Sequence, residues 1–132
     1  MTLRLLLLLL LAVPSLAQTA ESYRQQAIKL SQKKAWDEAV KVGEVAIYAD
    51  MEGFTTHRLF GEALAQTGNQ QRAVFELESA ALSQAEPLEH ADVQTRLAEL
   101  YAAVGRGRDA AKARKRAQEL KAAAAAAPAS TN

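Results

Sequence analysis

Three short polar segments recur along this chain, each running into an alanine: Lys34-Ala35-Trp36-Asp37-Glu38-Ala39, Gly68-Asn69-Gln70-Gln71-Arg72-Ala73 and Gly105-Arg106-Gly107-Arg108-Asp109-Ala110. Their alanines stand 34 and 37 residues apart. A small residue precedes each by twelve positions (Ala27, Gly61, Ala98), and another follows by seven (Ala46, Ala80, Ala117). Small side chains at fixed intervals are what paired helices need where their backbones nearly touch, because a bulky group would hold the axes apart. A unit of this length is a helix-turn-helix hairpin, which cannot bury its apolar face alone and must stack on its neighbours.

Larger residues fill the space around those contacts. Tyr23 and Leu30, Phe60 and Leu64, and Leu97 and Tyr101 fall at helical spacing on the first helix of each pair, with Val40 and Ile47, Val74 and Leu77, and Ala113 and Leu120 on the second. Residues classed as hydrophobic make up 49% of the 132 residues, enough for one domain's core. No stretch alternates β-branched and polar residues as a half-buried strand would, so the expected class is all-α.

On these residues the chain resembles the tetratricopeptide repeat proteins, with repeats at 20–53, 54–87 and 91–124 inside a domain of 18–124. The second repeat matches best, from Phe54 through Phe60, Gly61, Leu64, Gly68, Ala73 and Ala80 to Pro87. The resemblance implies a right-handed α-α superhelix, a solenoid of three hairpins, with a concave groove lined by the first helix of each. Two positions depart from the family pattern, which favours large side chains there: Gly43 and Arg114. Gly43 costs about 1 kcal/mol relative to alanine within a helix and marks a close contact or a weak point. Arg114, with Lys112, Lys115 and Arg116, makes the last helix polar enough to end the stack in water. The insertion around residues 85–90 is expected to lengthen the loop before the third hairpin, with Pro87 in the first turn of the helix that follows. After Leu120 the alanine run is expected to carry the last helix to about Ala127, where Pro128 ends it, and residues 125–132 are assigned to an alanine-rich disordered tail.

Ahead of the repeats, residues 1–17 have the layout of a secretory signal peptide: Arg4, an apolar run over 5–13, Pro14, then small Ser15 and Ala17 around Leu16. That run is about half the ~20 residues a membrane span requires. Cleavage is expected between Ala17 and Gln18, giving a periplasmic or secreted protein removed from cytosolic nucleotides and nucleic acids. With no cysteine, thiolate metal sites, disulfides and lipid attachment through cysteine are all excluded. The net charge of +1 provides no global field for nucleic acid or membrane.

Catalytic constellations are wanting: no phosphate loop, nucleophile elbow or zinc motif occurs. His57 and His90 lie in different elements without ligand spacing; His57 is expected to be a partly exposed helix residue and His90 to be solvated. We therefore expect no enzyme, no cofactor, no metal and no small-molecule substrate. By the family's groove positions, the resemblance implies a partner-binding surface containing Arg24, Ile28, Arg58, Leu59, Glu62, Arg96 and Glu99, with Ser31, Thr55 and Asp92 beside them. Arg24, Arg58 and Arg96 are suited to fork onto a carboxylate, or else to pair with Glu62, Asp92 and Glu99. The carboxylate clamp of heat-shock co-chaperones is not expected, because only Arg24 and Arg96 fit it and Ile28, Leu59 and Asp92 do not. The basic run over 106–121 is broken by Asp109 and Glu119, lacks interleaved aromatics, and reads as a solvated capping helix.

The expected function is an exported adaptor that grips a peptide segment or helix of an envelope protein in its groove, touching the membrane only indirectly. The alternative is a structural protein that self-associates through hairpin edges or its last helix. Export is checked by intact mass: protein recovered from the cell envelope or medium is expected to begin at Gln18, and a mass retaining residues 1–17 would refute cleavage.

Overall fold

The structure, a computed structural model, describes residues 16–128, so most of the expected signal peptide and the end of the tail lie outside it. Six helices make up the described part: α1 (Leu16–Gln32), α2 (Trp36–Ala49), α3 (Phe54–Gln66), α4 (Gln70–Leu82), α5 (Pro87–Ala103) and α6 (Gly107–Ala126). No strand occurs among the described residues. Consecutive helices pack as three hairpins, α1 with α2, α3 with α4 and α5 with α6, each stacked on the next. The fold is an all-α, tetratricopeptide-like hairpin stack.

The three hairpin turns share one hydrogen-bond pattern. Ala35 N–H donates to Leu30 O at 2.9 Å, Asn69 N–H to Leu64 O at 2.9 Å and Arg106 N–H to Tyr101 O at 2.7 Å. The preceding residue in each turn sits in the left-handed region: Lys34 (φ 55°), Gly68 (φ 93°) and Gly105 (φ 79°). This is the helix-ending turn in which a left-handed residue lets the chain satisfy the last carbonyls. Glycine adopts it freely; Lys34 does so against its own Cβ.

Small residues sit where the helices meet. Ala39, Ala73 and Ala110, then Ala46, Ala80 and Ala117, are all buried, as are Ala27, Gly61 and Ala98. A Cβ on Gly61 would lie 2.9 Å from Leu77 Cγ and 3.3 Å from the Ala73 carbonyl oxygen, so α3 and α4 are as close as their backbones permit. At Gly43 a Cβ would fall 2.2 Å from Phe60 Cδ2. The departure from the family pattern is thus a close contact: the Phe60 ring of the second hairpin occupies the volume that a side chain on α2 would take.

Phe60, Leu64, Leu77, Val93, Leu97 and Leu100 centre the core, with Val40 and Ile47 packed against it from the first hairpin. Ion pairs sew its edges: Arg72 forks onto Glu44, one bond measuring 2.8 Å, while its guanidinium lies 5.0 Å from the Phe60 ring centroid. At the next junction Tyr101 donates to Glu78 at 2.5 Å, beneath the Arg106 guanidinium. Burial first, and then that bond, push the Tyr101 phenol up to about 12.

Two expectations need correction. The insertion before the third hairpin lengthens α5 by a turn at its start instead of forming a longer loop. Glu86 and Glu89 form a capping box, the Glu86 N–H donating to Glu89 Oε2 at 3.0 Å, and Pro87 supplies the first helical residue. His90 therefore lies within α5, where its Nε2 is 2.7 Å from Ser83 O and its ring packs edge-on to Phe54 at 5.7 Å; it is partly buried, not solvated. At the other end α6 runs through Ala126, as expected of the alanine run, because alanine favours helix without packing.

Replacing Lys34 with glycine removes left-handed strain of about 1 kcal/mol. We expect Lys34→Gly to raise Tm by roughly 4 °C or more, read by circular dichroism, whereas alanine there gives no such gain.

Candidate functional site

The first helices of the hairpins, α1, α3 and α5, frame a cleft of about 360 Å3. Leu59, Leu77 and Val93 provide its apolar surface, Trp36 closes one side, and Arg58, Glu62, Asp92, Arg96 and Ser31 supply the polar groups. Pockets that bind side chains or small segments commonly have this make-up, mostly apolar with a few placed polar groups. The helix geometry explains the set: Glu62 follows Leu59 by three residues and Arg58 by four on α3, opposite Asp92, Val93 and Arg96 on α5.

Of the seven residues assigned to the groove from sequence, Arg58, Leu59, Glu62 and Arg96 line this cleft together. Ile28 is half-buried on α1 and does not line it. Glu99 lies one turn beyond, bonded to Arg96. Arg24 is drawn away to Glu21 and to Asp50, 2.9 Å from its Oδ2. Trp36, the only tryptophan in the chain, was not among the assigned residues. Its signal was present in the sequence: a large aromatic at the first position of a second helix, set among Lys34, Asp37 and Glu38.

The arginines divide by what they touch. Arg96 is committed: its Nε and Nη2 reach the two Glu62 oxygens at 2.8 and 3.1 Å, and its Nη1 reaches Glu99 at 2.6 Å. Gln66 adds a further donor to Glu62 at 2.8 Å. Burial alone would push the Glu62 carboxyl up, but the Arg96 and Gln66 bonds, with the charges of Arg96 and Arg58, hold it below its ordinary value. Arg58, by contrast, has no carboxylate partner among the described residues; its guanidinium stands 6.0 Å from the Phe54 ring centroid. Asp92 likewise is in no ion pair among the described residues, and the Ser31 Oγ is buried without a hydrogen-bond partner among them.

Behind the groove, α3 is pinned by a buried histidine. His57, expected to be partly exposed, is buried, with Nδ1 2.7 Å from Glu76 Oε2 and Nε2 2.7 Å from the Met51 carbonyl. With Glu76 as the carboxylate both partners accept, so both ring nitrogens donate and the ring is an imidazolium. The Glu76 bond is the main cause that raises its pKa; burial opposes it, and the Met51 bond and the charges of Glu76 and Asp50 add to it. Asp50, bonded to Arg24 and at 2.9 Å to Thr56 Oγ1, continues this network. Burial would lift the Asp50 carboxyl, but those bonds, with the charges of Arg24 and His57, keep it below its usual value.

No protein-family model matches the chain, and no curated protein matches it either. Among solved structures, the Yersinia enterocolitica type III secretion chaperone SycD in complex with a peptide of the translocator YopD superposes with a TM-score of 0.68. The identity is 20%, covering 77% of this chain and 76% of that one. The same translocator chaperone in an alternative dimer gives a TM-score of 0.67 at 21% identity, covering 79% and 76%. The hairpin stack is thus a fold already seen in peptide-bound form, and the likeness extends to the fold alone.

The signs of the shifts set a pH profile. His57 titrates above its ordinary 6.5, so the stability it contributes is complete below that pH and lost as pH rises through the raised value. Asp50 and Glu62 titrate below their ordinary 3.8 and 4.5, so their contribution is complete above that range and lost as pH falls through the lowered values. Tm is expected to be highest between about 4.5 and 6.5 and to fall on both sides. His57→Gln should abolish the alkaline decline only; a wild-type Tm that rises from pH 6.5 to higher pH would refute the imidazolium.

Proposed function

We propose that this protein is an exported interaction module that holds an extended segment or helix of an envelope protein in the cleft between α1, α3 and α5. The observation that carries the reading is the cleft's composition: an apolar floor of Leu59, Leu77 and Val93 beside one cation, Arg58, and one carboxylate, Asp92, neither in an ion pair among the described residues. An apolar side chain of the bound segment fits the floor, and an acidic group beside it meets Arg58. The SycD–YopD complex supports the reading by precedent, as a similar stack that holds a peptide.

Groove shape then sets affinity more than charge does, because Arg96 and Glu62 already satisfy one another and brace the two walls. The arginine that discriminates is Arg58, and Arg24 has no part in it. Export, which the leader pattern supports, places the partner in the envelope or beyond it.

The test is capture from envelope extract with wild type, Leu59→Asp and Arg58→Ala. Leu59→Asp is expected to abolish recovery of the partner, and Arg58→Ala to weaken it by about tenfold, the cost of one charged hydrogen bond. Trp36 reports independently: titrating the captured partner's segment should shift its fluorescence to shorter wavelength. Equal recovery by all three proteins with an unmoved Trp36 spectrum would refute the groove reading.

A further inference from the structure

The second helices, α2, α4 and α6, turn another face outward. Their buried alanines, Ala39 and Ala46, Ala73 and Ala80, and Ala110 and Ala117, mark the inner pole of each rod. At 3.6 residues per turn the outer pole falls two, six and nine positions beyond the first alanine. On α4 those positions hold Phe75, Ser79 and Leu82; on α2, Lys41, Val45 and Tyr48; on α6, Lys112, Arg116 and Glu119. Tyr48 is 77% exposed, Phe75 63% and Leu82 90%, and Met51 borders a shallow depression with Ser79 and Leu82. Large apolar groups side by side on adjacent rods are a mark of an interface.

Charge is graded across the same three rods. Along α2 itself exposed Asp37 and Glu38 stand against Lys41, while Lys33 and Lys34 are exposed in the turn before the helix and Glu52 just past its end. The α4 row is uncharged. On α6, Arg108, Lys112 and Lys115 are exposed and have no ion-pair partner among the described residues, while Arg116 leans on Glu119 at 3.6 Å. The three rods of the face therefore run from acidic α2 through apolar α4 to basic α6.

We propose that this face pairs with a second copy of the chain about a two-fold axis lying along α4. Half a turn about that axis lays α4 on α4 and reverses the order of the outer rods, so the acidic α2 of each copy covers the basic α6 of the other, twice. A two-fold interface must be complementary to itself, and a face graded from acid to base has that property. Phe75 and Leu82, seven residues apart, each meet their own counterpart, as core positions of a parallel helix pair do. Because Ala39 and Ala110 are equivalent in the repeat, Asp37 and Glu38 come level with Arg108 of the second copy. An anionic bilayer would attract α6 but repel the carboxylates of α2, so a second copy fits the whole face where a lipid surface fits one third. The groove faces away and stays open in the pair.

The full chain, as recovered from cells, is tested by sedimentation equilibrium. Wild type is expected to be a dimer at micromolar concentration, and Leu82→Glu to weaken the pair by at least about tenfold by setting two carboxylates on the axis, with unchanged helical circular dichroism. The deciding experiment uses two charge-reversed variants, Asp37→Lys/Glu38→Lys and Arg108→Glu/Lys112→Glu. Each alone should associate at least about tenfold more weakly, and an equimolar mixture should recover the dimer, since both α2–α6 contacts then join opposite charges. A mixture that stays monomeric, or variants that dimerise as wild type does, would overturn the arrangement. So would a monomeric wild type that sediments with phosphatidylglycerol vesicles.

Discussion

The stack depends on one steric condition: helix backbones approach until only glycine or alanine fits between them. Phe60 shows how much follows from it. Its ring lies where a Gly43 side chain would be, so the first and second hairpins cannot separate without opening a void in the core. Over the same ring lies the Arg72 guanidinium, which forks onto Glu44 of α2. A missing Cβ, an aromatic ring and an ion pair thus fasten one junction, and Gly61 against Leu77 and the Ala73 carbonyl repeats the condition within the second hairpin.

Polar groups then fix what close packing leaves free, the tilt and rotation of α3. His57 is held between Glu76 and the Met51 carbonyl, and Asp50 joins Arg24 of α1 to Thr56 of α3. Because buried polar groups are costly unless paired, this network admits few alternative placements of the helix. Leu59 and Glu62 leave the opposite side of the same helix. The orientation of the groove wall is therefore set from behind, and Arg96 sets it from in front by bridging to α5.

The two faces of the stack differ in kind. The groove is narrow, apolar at its floor and almost neutral; Arg96 and Glu62 satisfy one another, while Arg58 and Asp92 are in no ion pair among the described residues. Such a surface selects by shape and by one or two polar contacts. The outer face is broad, exposes Tyr48, Phe75 and Leu82, and grades from acid to base. That suits a flat, extended partner of equal size. A protein with both faces in use can hold a segment on one side while joined to its like on the other.

The spacing of Ala39, Ala73 and Ala110 fixed the number of hairpins, their turns and the small residues at their crossings, because those are local or periodic properties: helical period, turn chemistry and the need for a missing side chain every repeat. Four of the groove residues, Arg58, Leu59 and Glu62 on α3 and Arg96 on α5, followed from the groove positions that the resemblance to tetratricopeptide repeats implies. What the sequence left open is everything decided by neighbours distant in the chain. Whether Arg24 faced a ligand or an acid depended on Asp50, 26 residues away, and Arg96 found Glu62 across 34. His57 was buried because Glu76 of the facing helix supplied its acceptor, and Trp36 entered the cleft because the turn before it delivers α2 beside α3. Charge partners and burial are properties of the space between helices, and only packing creates that space.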